Sequence, residues 1–205
     1  MIKNILFDMG NVIIDIDISL THRAFARMAQ LDNVTADELF RAKAFFRHFE
    51  TGEVSELEFR TMMKREFAGA DWVDKAIDEA WCALLLDMPK ERLDLIAALG
   101  KKYRVFLLSN TNPIHVREIT RRAAALGVDF SGLFERLFLS SEMGKMKPDP
   151  AIYRQVLAEA GLIPQETLFV DDNLDNVLAA GTLGIQTIHL HPLGTVIEKL
   201  QIYLV

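Results

Sequence analysis

Asp8, Ser109, Lys147 and the pair Asp171-Asp172 are the residues of this 205-residue chain whose types and spacing point to chemistry. Asp8 follows the apolar run Ile5-Leu6-Phe7, and Ser109 ends Val105-Phe106-Leu107-Leu108. Lys147 lies just beyond Leu137-Phe138-Leu139, and the acidic pair follows Leu168-Phe169-Val170. Four short β-like runs thus each deliver a reactive group at or soon after their C-terminal ends, the edge where open parallel sheets bind ligands. Carboxylates, a hydroxyl and an ammonium gathered there suit a divalent metal and a phosphoryl group. A strand-end carboxylate beside loop N–H groups can attack phosphorus and form an aspartyl-phosphate. The alternative for Asp8 is a capping or solvated turn residue.

Two adjacent carboxylates repel unless a cation lies between them. Mg²⁺ takes one or two carboxylates plus waters and substrate oxygens, a set that Asp8, Asp171 and Asp172 could supply. A charged turn favourable to the dipole of the helix after it is the competing reading of the pair. Asp175 and Asn176 could support metal ligands or simply start that helix. Ser109-Asn110-Thr111-Asn112 stands between a strand and a helix N-terminus, where hydroxyl and N–H groups bind phosphate oxygens. Asn112 reads as the helix cap, which leaves Ser109 and Asn110 for phosphate. Lys147 could offset charge on a transferring phosphoryl group, with Lys145 as its local competitor.

The elements that must position these residues are legible in the punctuation. Asn112 with Pro113, closed by Gly127, predicts one helix, and Asp149 with Pro150, stopped at Gly161, predicts another. Further helices are expected over 89–100 and 174–183, the latter ended by Gly184 before a strand over 186–190. Repeated strand-then-helix units imply a parallel sheet with helices on both faces, a doubly wound α/β fold. Residues 18–86 show no strand pattern. Thr35 with Glu38, and Ser55 with Glu58, read as capping boxes. Phe25, Met28, Leu39, Phe40, Phe59, Met62 and Met63 supply apolar faces at helical spacing, which reads as packing. The expected organisation is a core of 1–16 and 88–205 with an inserted all-helical cap of 17–87. That insertion follows the first strand, so it is placed to cover Asp8 as a lid.

Composition narrows the partners. A net charge of −6 argues against a nucleic-acid footprint, which needs a basic face. Cys82 is the single cysteine, which excludes an intrachain disulfide and fits a reducing cytoplasm. The early residues lack the basic and apolar regions of a secretory signal, and no apolar run approaches membrane-spanning length. The expectation is a cytoplasmic monomer or homodimer acting on a small phosphorylated substrate, without nucleic acid or membrane.

In order and context the chain resembles the haloacid dehalogenase (HAD)-like hydrolase superfamily. Its four motifs match Ile5-Leu6-Phe7-Asp8-Met9-Gly10-Asn11-Val12, Leu107-Leu108-Ser109-Asn110, Lys147-Pro148 and Val170-Asp171-Asp172. The likeness covers the whole chain, including a helical (C1-type) cap at the matching place. It implies a phosphoaspartate mechanism with Mg²⁺: Asp8 as nucleophile and metal ligand, Ser109 and Lys147 as phosphate ligands. Asp172 would bind the metal directly and Asp171 through a water. Most phosphatases of the family carry a second Asp two residues after the nucleophile, as general acid and base. Here that position is Gly10, whose carbonyl can ligate the metal but which has no carboxyl. Asp15 and Asp17, in the flap-like segment 12–17, are candidate replacements, or else solvent-facing strand residues.

The stretch from Phe7 to Asp17 further resembles a bacterial subgroup containing a glucose-1-phosphate phosphatase, which also has Gly there. A sugar 1-phosphate such as a hexose 1-phosphate, leaving from an anomeric carbon, would suit a weakened acid.

Rivals fare less well. A haloacid dehalogenase needs no metal and usually lacks a tandem acidic pair, while a phosphosugar mutase needs acid–base chemistry where Gly10 stands. A receiver domain joins similar residues, but its acidic pair follows the first strand. A catalytically silent phosphate-binding protein remains an alternative because of Gly10. No glycine-rich phosphate loop follows the first strand. His189 and His191 read as surface or partly packed histidines, Cys82 as a small buried hydrophobe, and His115 as a residue able to approach the pocket. Arg47, His48 and Glu50 could touch a sugar, although a solvated helix end is the plainer reading.

Overall fold

Ile5 and Phe7 face one side of the first strand, β1 (Asn4–Phe7), Leu6 faces the other, and all three are buried. A strand covered on both faces must lie inside a sheet with a layer on each side. The computed structural model describes residues 1–32, 38, 40, 45–69 and 71–203. Among them β1, β2 (Arg104–Ser109), β3 (Arg136–Leu139), β4 (Thr167–Asp171) and β5 (Gln186–His189) form a parallel sheet in the order β3-β2-β1-β4-β5. Phe7 pairs with Leu107 on one side and with Val170 on the other, so the chain leaves β1, β2 and β4 at nearly the same level.

The crossover helices are α5 (Lys90–Leu99), α6 (Pro113–Ala125), α8 (Pro150–Ala160) and α9 (Leu174–Gly181), with the one-turn α7 (Ser140–Met143) after β3. Leu95, Leu99, Ile119 and Ala123 join Ile5, Phe7 and Leu107 on one face of the sheet. Ile152, Tyr153, Val156 and Ala180 pack on Leu6, Phe106 and Phe169 on the other. The sheet is therefore doubly wound, as the sequence predicts. Asn112 caps α6 by accepting from His115 N, and Asp149 caps α8 by accepting from Ala151 N, each with Pro in the first turn. Two boundaries shift: α9 ends at Gly181 rather than 183, and β5 at His189 rather than 190. Leu190 instead donates its N–H to Asp171 O at 2.9 Å.

Between Asp17 and Leu84 the described elements are helical: α1 (Ile18–Ala29), α2 (Phe45–Glu50), α3 (Glu56–Glu66) and α4 (Asp74–Trp81). The Ser55–Glu58 capping box forms at the start of α3. Thr35, which the other capping box needs, and Leu39 lie outside the described residues. These helices close over an aromatic cluster of their own, with Phe25, Phe49, Phe59, Met63 and Trp81 buried together. Ile114 of α6 joins that cluster, so the helical segment is seated on the start of a core helix. Ile16 and Leu85 form one antiparallel bridge where the chain leaves for this segment and returns from it. Cys82, half-buried, touches Ile114 O at 3.9 Å, and burial pushes its thiol up to about 12. No described helix is long and apolar enough to cross a membrane.

Candidate active site

The ends of β1, β3 and β4 bring Asp8, Lys147, Asp171 and Asp172 to one place. Lys147 Nζ lies 2.7 Å from Asp8 Oδ1 and 2.7 Å from Asp171 Oδ2. Lys147 is 3% exposed and Asp171 0%, so this ammonium belongs to the interior, held by its partners. Lys145 points elsewhere and bonds Gln155 Oε1 at 2.9 Å. Carboxylate oxygens of Asp8, Asp171 and Asp172 lie within 4.8 Å of one another.

Burial pushes the Asp8 carboxyl up to about 7, against the pull of Lys147 and with help from Asp171. Burial works against the Lys147 charge, but Asp8 and Asp171 outweigh it and raise its affinity for the proton. Three carboxylates facing one ammonium leave excess negative charge in a desolvated corner. A divalent cation fits that donor set by charge, by oxygen chemistry and by spacing.

The two late aspartates are differently placed. Asp171 spends both oxygens on protein: Oδ1 accepts from Asn173 N at 2.7 Å and Asn176 Nδ2 at 3.1 Å. Its Oδ2 accepts from Lys147 Nζ at 2.7 Å and Asn176 Nδ2 at 3.0 Å. Asp172 is half-buried and accepts one bond, from Asn11 Nδ2 to Oδ2 at 2.9 Å. Asn176 thus braces Asp171 from the first turn of α9, whereas Asp175 is exposed and donates its backbone N–H to Asn173 Oδ1.

The structure gives protein partners to several side chains named from the sequence. The Asn110 side chain does not face a phosphate site: Nδ2 donates to Lys147 O and Oδ1 accepts from Lys147 N, both at 2.8 Å. It clamps the loop that carries Lys147, which leaves the backbone N–H as its means of meeting a ligand. Asp15 and Asp17 are not free acids. Asp15 pairs with Arg92 at 2.7 Å, and Asp17 caps α1 by accepting from Ser19 N at 2.9 Å. The hydrogen bonds from Ser19 hold the Asp17 carboxyl below the usual range. His115 is buried with both ring nitrogens engaged, by Asn112 Nδ2 at 3.1 Å and Trp81 O at 3.1 Å. Burial lowers it to about 4, so it stays neutral.

Ser109 ends β2 at 2% exposure, with no hydroxyl partner among the described residues. At Gly10, an added Cβ would stand 3.0 Å from the end of the Ile16 side chain. Sequence reasoning gave no role to Asn11 or His189. Asn11 adopts φ 54°, a left-handed conformation that asparagine tolerates. There it reaches Asp172 with its amide while its Oδ1 accepts from Ile16 N at 3.1 Å. His189 Nε2 lies 2.9 Å from Asp172 O and stacks on exposed His191. The clue to Asn11 was its place inside the first motif. His189 had none, because its contact joins separate strands.

The comparisons with known proteins agree with this geometry. The family model for haloacid dehalogenase-like hydrolases matches residues 2–184. A D-ribitol-5-phosphate phosphatase of Bacteroides thetaiotaomicron is 34% identical over 188 residues, 91% of each chain. A crystal structure of a HAD family enzyme from the same organism, complexed with magnesium and inorganic phosphate, superposes with a TM-score of 0.88. It is 36% identical and covers 95% of this chain and 96% of its own. A HAD-like hydrolase structure from Porphyromonas gingivalis gives a TM-score of 0.88 at 32% identity, covering 99% and 98%. Several relatives are phosphatases, in keeping with the phosphoric monoester hydrolase class expected from the motifs. By its motifs, its fold and its relatives, the chain belongs to the haloacid dehalogenase-like hydrolases.

Proposed function

We propose that this protein is a Mg²⁺-dependent phosphatase that hydrolyses a small phosphorylated sugar or sugar alcohol through an aspartyl-phosphate on Asp8. The observation that carries the reading is the Lys147 ammonium held 2.7 Å from Asp8 beside the Asp171-Asp172 pair. The relative that acts on D-ribitol-5-phosphate supports a phosphorylated polyol. The likeness to the glucose-1-phosphate phosphatase subgroup supports a hexose 1-phosphate.

Asp8 attacks phosphorus with the carboxylate oxygen that faces the pocket. Lys147, fixed by Asp171 and by the Asn110 clamp on its backbone, offsets charge on the phosphoryl oxygens as the leaving oxygen departs. Ser109 donates its free hydroxyl to a phosphoryl oxygen, joined by the Asn110 backbone N–H. Water then attacks phosphorus and returns Asp8 as a carboxylate. Asp8, the Gly10 carbonyl and Asp172 would hold Mg²⁺, with Asp171 acting through a water. The bound cation supplies positive charge that lets the anionic nucleophile approach the anionic ester. The helices of 17–87 act as the lid that keeps bulk water from the intermediate.

Phosphate release from a panel containing hexose 1-phosphates and D-ribitol 5-phosphate tests the reading. Turnover is expected with Mg²⁺, lost with EDTA and lost in Asp8→Asn. Activity that survives Asp8→Asn would remove the phosphoaspartate mechanism. No preference for sugar or polyol phosphates over simple esters would remove the substrate class.

A further inference from the structure

A cavity of 240 Å³ lies between α1, α2 and the start of α6, and Glu50 is the acidic residue on its wall. Phe40, Phe46, Trp81 and Leu84 make the wall mostly apolar. Its other polar side chains are engaged. Thr21 Oγ1 donates to Trp81 O and accepts from Leu84 N, and His115 is saturated as described above. His22 stacks on Phe40 with ring centroids 4.2 Å apart. The Glu50 carboxyl has no hydrogen-bond or ion-pair partner among the described residues. Of the helix end read as solvated, Arg47 and His48 are exposed, His48 bonding Glu53, while Glu50 is half-buried on the cavity wall.

The backbone of Glu50 is pinned to the catalytic edge of the sheet. Ser140, the first residue past β3, donates its hydroxyl to Glu50 O at 2.6 Å. The same hydroxyl accepts from Thr111 N, two residues beyond Ser109, at 2.9 Å. Gly52 secures the seat, since an added Cβ would stand 1.9 Å from Ser141 O at a φ of 73°. β3 lies two strands from β1, which is roughly 10 Å at the usual strand spacing. Glu50 is thereby anchored at the same C-terminal edge of the sheet that carries Asp8.

We infer that Glu50 is the general acid and base that Gly10 does not supply. Its carboxyl gives a proton to the ester oxygen as the bond from that oxygen to phosphorus breaks and the bond from Asp8 to phosphorus forms. The alcohol leaves neutral. The Glu50 carboxylate then takes a proton from the water that attacks the aspartyl-phosphate, so inorganic phosphate departs with Asp8 and Glu50 restored. Burial pushes this carboxyl up to about 7, where it can hold and release a proton near neutrality. The titratable groups that face it across the cavity are His22 and the neutral His115. An acid supplied by the lid ties protonation of the leaving group to closure over the substrate.

The inference rests on the phosphatase reading, and leaving-group dependence tests it separately. Holding Mg²⁺ constant, Glu50→Gln is compared with the wild type on D-ribitol 5-phosphate or glucose 1-phosphate, whichever turns over faster, and on p-nitrophenyl phosphate. The aryl leaving group needs no proton. The expected result is a fall in kcat/KM, which reports the step that expels the leaving group, of about 10²–10⁴-fold on the alkyl ester and less than about tenfold on the aryl ester. Glu50→Asp, one methylene short, should recover part of the alkyl-ester rate, and unchanged thermal melting of the variants sets aside a folding fault. Equal losses of kcat/KM on both esters, or no loss, overturn Glu50 as the acid and leave the phosphatase reading standing. A wild type that releases phosphate from neither ester overturns both.

Discussion

Asp171 and Asp172 are neighbours in the chain and opposites in environment, and substitution should separate them. Asp171 is one of the two carboxylates that hold the buried Lys147 ammonium. Removing its charge while keeping its shape, in Asp171→Asn, is expected to cost roughly 1–3 kcal/mol of stability along with activity. Urea unfolding measures the first and phosphate release the second. Asp172→Asn is expected to leave stability within about 0.5 kcal/mol, because the residue is half-buried with a single side-chain bond. Its effect should instead be a higher Mg²⁺ concentration for half-maximal rate. The reverse pattern would exchange the roles given to the pair. The motif order named both residues, but adjacent identical side chains carry no sign of which one faces a lysine and which a solvent-lined opening.

At the scale of elements, the helices between Asp17 and Leu84 are held by their aromatic cluster more than by helix propensity. Phe59 is 0% exposed and stacks on Phe49 with ring centroids 4.2 Å apart. Phe59→Ala is expected to cost about 3–5 kcal/mol, read as a shift of the urea midpoint. A loss under about 1 kcal/mol would mean that the cluster relaxes and is no packed core. Helical spacing exposed Phe25, Phe40, Phe59 and Met63 as core in the sequence, because a 3.6-residue period is local information. The inward turn of Glu50 left no such trace. It depends on the Ser140 hydroxyl and on the close approach at Gly52, both set by the docking of α2 on α7, 90 residues further along the chain.

Across the whole molecule, the seat of the helical segment on the core has a pH signature through His115. The ring is buried, stacks on Trp81 at 5.1 Å and is lowered from 6.5 to about 4. The unfolded chain therefore binds a proton that the folded chain refuses between those values. Stability from this group is present above about pH 6.5 and is lost as the pH falls toward 4, at roughly 1.4 kcal/mol per unit. Wild-type unfolding free energy should decline over that window, and His115→Gln should flatten part of the decline. An unchanged slope would show that His115 titrates normally. The sequence by itself determined the doubly wound sheet, the helical block after β1 and the gathering of Asp8, Ser109, Lys147 and Asp171-Asp172 at one edge. Strand period, caps and element order are written locally, and parallel topology then fixes which ends meet. Only the tertiary structure decided that Asp15, Asp17 and the Asn110 amide are occupied, that Asn11 reaches Asp172, and that Glu50 lines a cavity with no partner among the described residues. Those outcomes turn on side-chain partners drawn from distant segments, and the desolvation that shifts an acid exists only once the walls around it have closed.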